Sequence, residues 1–127
     1  MIPLTYKDII AFHNDMLDQY GGLPGVKDDG RISFLAQQPF QESFGIELYP
    51  GLFLKAAVYL VSIARAHAFN DANKRTAAMS CHVFLLYNWY GLSMSERMLE
   101  LITRRAARGM LSYESTARLL ERYALPL

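Results

Sequence analysis

Hydrophobic residues recur at helical spacing over separate stretches of the chain, and capping or helix-breaking residues bound each stretch. The first stretch begins after Thr5, whose hydroxyl suits a helix N-cap, and stops at two glycines, so it predicts an amphipathic helix over Tyr6 to Tyr20. A shorter helix is expected around Ile32 to Gln38, where a proline follows. Residues 39–51 contain two prolines and two glycines with alternating apolar positions, which indicates a loop or a small hairpin.

Two stretches are apolar on more than one helical face. From Leu52 to Ala66 only Lys55 and Arg65 are charged, and a helix that is apolar nearly all round belongs in the middle of a bundle. The stretch from Thr76 to Trp89 has the same character and is followed by a glycine that breaks it. We therefore expect these two helices to pack against each other as a central buried pair.

Two further helices are expected in the C-terminal part of the chain. Ser95 caps one that runs through Arg108, and a last helix covers Ser112 to Tyr123. The sequence contains no strong strand pattern, no internal repeat and no low-complexity linker. The chain is therefore predicted to fold as one all-α domain, residues 1–127, in a bundle of about six helices.

Composition narrows the classes of function. The chain is 52% hydrophobic and 20% charged with a net charge of +1, so it should fold by itself and has no global attraction to nucleic acid or anionic lipid. The single cysteine, Cys81, excludes an internal disulfide and is expected to be a buried small hydrophobe. Neither a secretory signal nor a membrane span is recognisable, so we expect a cytoplasmic protein without direct nucleic-acid or membrane contacts.

The segment His67-Ala68-Phe69-Asn70-Asp71-Ala72-Asn73-Lys74-Arg75 is the polar exception between the two apolar helices. Polar groups at the edge of a core cost desolvation free energy unless they are paired or used. If a helix begins near Asn73, its free N–H groups and positive dipole end form an anion site, which Lys74 and Arg75 reinforce with full charges. A phosphate is the natural ligand of such a site.

The same segment contains a candidate metal ligand and a candidate base. The Asp71 carboxylate offers a hard oxygen, which suits the Mg²⁺ that accompanies nucleotide phosphates. Histidine exchanges a proton readily near neutral pH, so His67 can take the proton from an attacking hydroxyl. Because phosphoryl transfer needs mainly positioning and charge neutralisation, the segment holds a residue type for each task.

These residues resemble the signature of the Fic/Doc superfamily, H-x-F-x-D/N-G/A-N-G/K-R. They are most similar to its Doc (death-on-curing) toxin branch, in which Asn-Lys-Arg replaces Asn-Gly-Arg. Further blocks that look like Doc are Tyr20-Gly21-Gly22-Leu23-Pro24-Gly25, Asp29-Gly30-Arg31, the Leu52 to Arg65 helix and Asn73-Lys74-Arg75-Thr76-Ala77. A nine-residue pattern with these supporting blocks is far more specific than a lone glycine-rich loop.

The resemblance implies the all-helical Fic fold and a role for each residue of the signature. It assigns His67 as the general base for a target hydroxyl, Phe69 as the anchor of the loop in the core, and Asp71 as the Mg²⁺ ligand. The run Asn73-Lys74-Arg75 would hold the phosphates of ATP.

The Doc branch further implies a reaction and partners. Doc is the toxin of a type II toxin–antitoxin pair and a protein kinase, which transfers the γ-phosphate of ATP to a threonine of elongation factor Tu and so stops translation. A Phd-type antitoxin restrains it by folding a helix into a groove of the toxin. This chain has no internal helix motif with the glutamate spacing of self-inhibited Fic proteins, so restraint by a separate chain is expected.

Two alternatives stay open at this point. One is transfer of AMP or another nucleotide monophosphate to a protein hydroxyl, as in other Fic enzymes. Lys74 in place of their glycine and Ala78 in place of their second arginine favour the kinase. The other is a catalytically inactive module for antitoxin binding and promoter control, which a broken motif would indicate, whereas no motif position is lost here.

Other polar residues have simpler interpretations. We expect His13 to lie on a helix face and His82 to pack at the edge of the core. Asp28, Asp29 and Arg31 are either turn and capping residues or, equally, residues with a nucleotide-side or structural role in the Doc pattern.

Overall fold

Six α-helices make up most of the computed structural model, which describes residues 1–127. In chain order they are α1 Tyr6–Tyr20, α2 Asp29–Gln37, α3 Leu52–Ala66, α4 Asn73–Tyr87, α5 Glu96–Ala107 and α6 Tyr113–Arg122. Two antiparallel strand pairs are present, β1 Glu42–Ser43 with β2 Ile46–Glu47 and β3 Tyr90–Leu92 with β4 Ala124–Pro126. Because each strand has only two or three residues, the predicted all-α class is confirmed.

The predicted helix caps are also confirmed. Thr5 caps α1 in a reciprocal arrangement with Asp8, and Gly21 ends that helix with a positive φ of 73°. The hydroxyl of Ser95 caps α5, whereas Ser112, predicted as the first residue of the last helix, is the N-cap of α6. These contacts are local in sequence, which is why the pattern of residues was enough to predict them.

Helix α2 begins and ends earlier than predicted. The Asp28 carboxylate accepts a hydrogen bond from the backbone N–H of Arg31 at 3.0 Å, so the helix starts at Asp29 rather than near Ile32. A short 3₁₀ turn over Gln38–Phe40 follows it and contains Pro39 at a position that needs no N–H donor. The expected small hairpin then forms from β1 and β2.

No pattern of residues predicted β3 and β4, and the predicted end of α4 was two residues too late. Trp89 has φ +73°, outside the helical region, so α4 ends at Tyr87 and the chain turns into β3. Strand β4 pairs with β3 from the far end of the chain, and the N–H of Leu127 donates to the Trp89 carbonyl at 2.9 Å. A three-residue pairing over this separation leaves no local periodicity to detect.

Helix α3 is the centre of the bundle. Nine of its residues are buried: Lys55, Ala56, Ala57, Val58, Tyr59, Leu60, Val61, Ile63 and Ala64. It packs most extensively against α4, as predicted, and also against α5 and α6. The predicted all-round burial of α4 is wrong in detail, because Met79 and Val83 are only half-buried and Leu86 is exposed. No helix is both long and apolar enough to span a lipid bilayer.

Lys55 is the only charged residue buried in the core, at 1% exposure. Its ammonium group lies 2.9 Å from the Glu47 carboxylate in β2, donates to the Tyr49 carbonyl, and lies 5.3 Å from the centre of the Phe40 ring. A buried charge is costly unless it is paired. The three contacts supply that pairing and attach the hairpin to α3, while Phe44 at its turn is fully exposed.

The first prediction concerns this ion pair. Glu47→Gln should lower the free energy of unfolding by about 1–2 kcal/mol, because it leaves the buried ammonium of Lys55 without a compensating charge. Glu42→Gln is the matched control, since Glu42 lies directly opposite Glu47 and makes no ion pair. Removing one of two facing like charges should be neutral or slightly stabilising. Urea unfolding of both variants measures the difference, and equal midpoints would contradict the assignment.

The second prediction concerns Cys81. Complete burial raises the pKa of its thiol to about 12, so the reactive thiolate is absent at ordinary pH. An aromatic disulfide reagent at pH 8 should therefore label no thiol in the folded protein and one thiol after unfolding in urea. Rapid labelling without denaturant would show that this part of the core is open.

Candidate active site

A six-residue turn, which we call the active-site loop (residues 67–72), joins the two central helices. It begins and ends with residues in the left-handed conformation, His67 with φ +49° and Ala72 with φ +61°. An L-residue in this region costs about 1–2 kcal/mol. Such strain persists only where surrounding contacts over-determine it, and it is concentrated at functional sites.

Phe69 fixes the middle of the active-site loop in the core. Its side chain is 1% exposed and stacks on the ring of His13 in α1, with centroids 3.8 Å apart and planes 8° apart. The Nε2 atom of His13 is 2.9 Å from the backbone carbonyl oxygen of Asp71. At 2% exposure, His13 is a core residue, so its prediction as a helix-face residue was wrong. Its position four residues after the buried Ile9 was the available signal.

Asn73 closes the active-site loop from the other side. Its side-chain oxygen accepts a hydrogen bond from the Phe69 N–H, and its side-chain nitrogen donates to the Phe69 carbonyl, both at 3.1 Å. The side-chain amide of Asn73 thus makes both of its hydrogen bonds to the active-site loop. The role of Asn73 in phosphate binding stays a prediction. Because its side chain bonds to the loop, its backbone N–H at the start of α4 is the group available for a phosphate.

A second segment, the glycine loop (residues 21–27), runs alongside the active-site loop. Lys27 donates its N–H to the Ala68 carbonyl at 2.8 Å, and Asn70 donates its N–H to the Gly25 carbonyl at 3.0 Å. The Asn70 side chain donates to the Pro24 carbonyl at 3.0 Å. These bonds give a structural reason for the Gly-Gly-Leu-Pro-Gly block noted in the sequence.

The Asp71 carboxylate is oriented by two backbone N–H groups. Leu23 of the glycine loop donates to one oxygen at 3.0 Å, and Ala72 donates to the other at 2.8 Å. These two hydrogen bonds, and then the nearby Arg75 charge, lower the pKa of the Asp71 carboxyl, so it stays ionised. An exposed ionised carboxylate fits Mg²⁺, which is often bound by one or two protein carboxylates together with substrate phosphates.

The N-terminus of α4 provides the positive end of the site. No side chain caps this helix, and the Thr76 N–H is the first to donate to a loop carbonyl, that of Ala72, at 3.0 Å. Lys74 and Arg75 in the first turn are both exposed. The Arg75 guanidinium lies 4.5 Å from the centre of the Tyr20 ring, which holds it beside the cleft. Uncapped N–H groups beside two cations are suited to bind a multiply charged anion.

The polar residues of the signature open into one cleft of about 640 Å³. His67 and Asn70 to Arg75 line one end of it. Ala78, Met79, His82 and Val83 of α4 line its length, between residues of α1 and α5. Phe69 lies beneath the lining, in the core. The tertiary structure thus places the predicted base, metal ligand and cations around one space.

Three other polar residues of interest lie outside this cleft. Asp28 caps α2, the Tyr6 hydroxyl donates a hydrogen bond to Asp29, and the Arg31 guanidinium lies over the Phe34 ring. The structure supports the turn and capping interpretation for Asp28, and none of the three residues lines the cleft. His82 is half-buried beside the cleft, as expected of a residue at the edge of the core.

Comparisons of the sequence relate this chain to known proteins. A model of the Fic/DOC family matches residues 3–85, which is well over half of the chain. The chain is 40% identical over 122 residues to "Protein kinase doc" of Escherichia phage P1, covering 96% of this chain and 95% of that protein.

The chain belongs to the Fic/DOC family. It is also 41% identical over 69 residues to "Toxin Doc" of Mycolicibacterium smegmatis, covering 54% of this chain and 53% of that protein. The matched residues of the Fic/DOC model include α1, the glycine loop and the active-site loop. In this member of the Fic/DOC family, sequence reasoning missed His13, Tyr20 and the pairing of the two loops, because each depends on contacts between distant segments.

The third prediction tests the pairing of the two loops. Gly25 has φ +116°, and a Cβ atom added there would lie 2.4 Å from the Asn70 side-chain nitrogen. Gly25→Ala should therefore push the Asn70 amide away from the Pro24 carbonyl and, together with the strain of the positive φ, lower the free energy of unfolding by roughly 2 kcal/mol. Gly45→Ala is the control, because Gly45 has φ +77° and open space around it. That change should cost only about 1 kcal/mol, and equal losses in urea unfolding would exclude a steric role for the close approach.

Proposed function

We propose that this chain is the toxin of a toxin–antitoxin pair and acts in the cytoplasm as a protein kinase. In this proposal it transfers the γ-phosphate of ATP to a threonine of elongation factor Tu, which stops translation. The observation that carries it is the cleft in which His67, Asp71 and the cationic start of α4 face one space. The 40% identity to "Protein kinase doc" over nearly all of both chains supports the same reaction.

Each residue of the cleft has a task in this reaction. His67 is exposed at the end of α3 and accepts the proton of the threonine hydroxyl as its oxygen attacks the γ-phosphorus. The new oxygen–phosphorus bond forms while the bond from the γ-phosphorus to the β,γ-bridging oxygen breaks, so ADP leaves with the electron pair. Lys74, Arg75 and the free N–H groups of α4 neutralise the negative charge on the phosphates.

Asp71 is the residue that would hold the metal ion. Its carboxylate is ionised, exposed and oriented by the N–H groups of Leu23 and Ala72. Mg²⁺, when bound, neutralises charge on the phosphate oxygens. The two orienting hydrogen bonds fix the direction of the carboxylate before any ligand arrives, and preorganised groups need no rearrangement during the reaction.

Lys74 and Ala78 distinguish phosphate transfer from AMP transfer. Both line the cleft. By resemblance, AMP-transferring Fic enzymes carry glycine at the position of Lys74 and often arginine at the position of Ala78. A lysine side chain crowds the site in which those enzymes hold phosphates, and an alanine offers no second guanidinium. Both differences favour transfer of the terminal phosphate.

The proposed partners follow from the same assignment. A Phd-type antitoxin would restrain the toxin by folding a helix into a groove on its surface, which is a common mode of recognition for amphipathic segments. The two Doc proteins matched here, one of them named a toxin, support a toxin–antitoxin role.

The fourth prediction separates the two transfer reactions. The protein is incubated with elongation factor Tu, Mg²⁺ and ATP that carries a radioactive label on either the α or the γ phosphate. The kinase transfers only the γ label, whereas an AMP transferase transfers only the α label. Transfer of the α label alone would refute the proposed kinase and establish the alternative.

His67→Ala is the companion variant in this assay. Loss of a positioned general base should lower the rate of γ-label transfer by roughly 10²- to 10⁴-fold. Because the His67 side chain is exposed, the urea unfolding midpoint of His67→Ala should stay close to that of the native chain. In cells the native chain should arrest growth and the variant should not. Equal toxicity of the two would remove His67 from the mechanism, and growth unaffected by the native chain would favour an inactive binding module.

A further inference from the structure

His13 does more in this structure than fill space in the core. A phenylalanine could also stack on Phe69, and it would bury no polar nitrogen. The imidazole instead places Nε2 2.9 Å from the Asp71 carbonyl oxygen. A carbonyl oxygen only accepts hydrogen bonds, so Nε2 carries the hydrogen and donates it. A buried polar nitrogen costs free energy unless such a bond is made.

The hydrogen bond from His13 acts on one particular peptide unit, the one between Asp71 and Ala72. Its carbonyl accepts from His13, and its N–H donates to the Asp71 carboxylate at 2.8 Å. The same unit precedes Ala72, whose left-handed conformation is unfavourable by itself. The peptide unit is thus held at both ends, in a place where the backbone would otherwise relax.

We propose that His13 is a positioning residue, which holds the Asp71–Ala72 peptide so that the Asp71 carboxylate points into the cleft in a fixed direction. The proposal rests on the proposed function, in which that carboxylate binds Mg²⁺. His13 contacts neither substrate nor metal and acts only through Asp71 and the start of α4. Partners that orient a metal ligand typically change metal affinity by 10- to 100-fold when they are removed.

Two variants separate the ring stack from the hydrogen bond. His13→Phe keeps an aromatic ring against Phe69 and removes the donor. His13→Gln removes the ring and keeps an N–H donor at a similar distance from the backbone. If His13 positions Asp71, His13→Phe should raise the Mg²⁺ concentration that gives half-maximal γ-phosphate transfer by roughly 10-fold or more. At saturating Mg²⁺ its kcat should return to within a few-fold of the native value.

His13→Gln should stay within a few-fold of the native Mg²⁺ requirement, although losing the stack should make it the less stable variant in urea. A role in packing alone predicts the opposite order, in which His13→Gln is impaired and His13→Phe is normal. That result would overturn the proposal. A loss of kcat in His13→Phe that saturating Mg²⁺ does not restore would also overturn it.

Coupling to Ala72 provides a second test. Glycine adopts positive φ without strain, so Ala72→Gly should reduce the need for an external hydrogen bond at this peptide. In the Ala72→Gly background, His13→Phe should therefore raise the Mg²⁺ requirement by only a few-fold. If the effects of the two substitutions multiply independently, the proposed action through the strained peptide is wrong.

A readout without nucleotide or target separates this proposal from the proposed function. Amide hydrogen exchange of Ala72, followed by NMR on the free protein, should become at least 10-fold faster in His13→Phe and change little in His13→Gln. Faster exchange with no phosphate transfer by the native chain would refute the kinase and keep the positioning role. Unchanged exchange in His13→Phe would refute the positioning role whatever the native chain catalyses.

Discussion

The burial of Phe69 is the interaction on which the geometry of the active site depends. The active-site loop carries the candidate base His67 and the Asp71 carboxylate and leads into two cations of α4, and such a polar segment has few contacts of its own to hold it in place. Burying one aromatic ring of the loop against His13 supplies the missing hydrophobic anchor. The side-chain amide of Asn73 then holds the backbone of Phe69, because it bonds to both the N–H and the carbonyl of that residue. The loop is thus attached to the core at its centre.

Electrostatics explains why the active-site loop and the start of α4 are suited to bind a phosphate. Two cations in the first turn of α4 are unfavourable next to the positive end of the helix dipole. No carboxylate forms an ion pair with either of them, and Arg75 lies against the Tyr20 ring. An anion bound at the helix start removes the repulsion. The carboxylate of Asp71 lines the same cleft, so in the proposed function a metal ion held by it would add to the attraction for that anion.

The pairing of the glycine loop with the active-site loop is the second tertiary contact that holds the active site. Gly25 leaves room for the Asn70 side chain, whose amide donates to the Pro24 carbonyl, and Leu23 donates its N–H to the Asp71 carboxylate. Helix α1, which ends where the glycine loop begins, carries His13 and Tyr20 to the same region. One end of the chain thus surrounds the active-site loop with contacts that the loop cannot make within itself. Lys55 serves the β1–β2 hairpin in a comparable way, by attaching it to α3.

The sequence by itself determined the elements and the chemical content of the site. Caps, glycines and apolar spacing set α1, α3, α5 and α6 nearly to the residue, because these signals act within one or two turns of helix. The segment from His67 to Arg75 contains the candidate base, the candidate metal ligand and the two cations, so they could be predicted from the sequence. Only the tertiary structure decided that His13 is buried, that Asn73 uses its amide within the loop, and that β3 pairs with β4. Each of these depends on a contact between segments that meet only in the folded chain, and hydrophobic periodicity carries no information about such a contact.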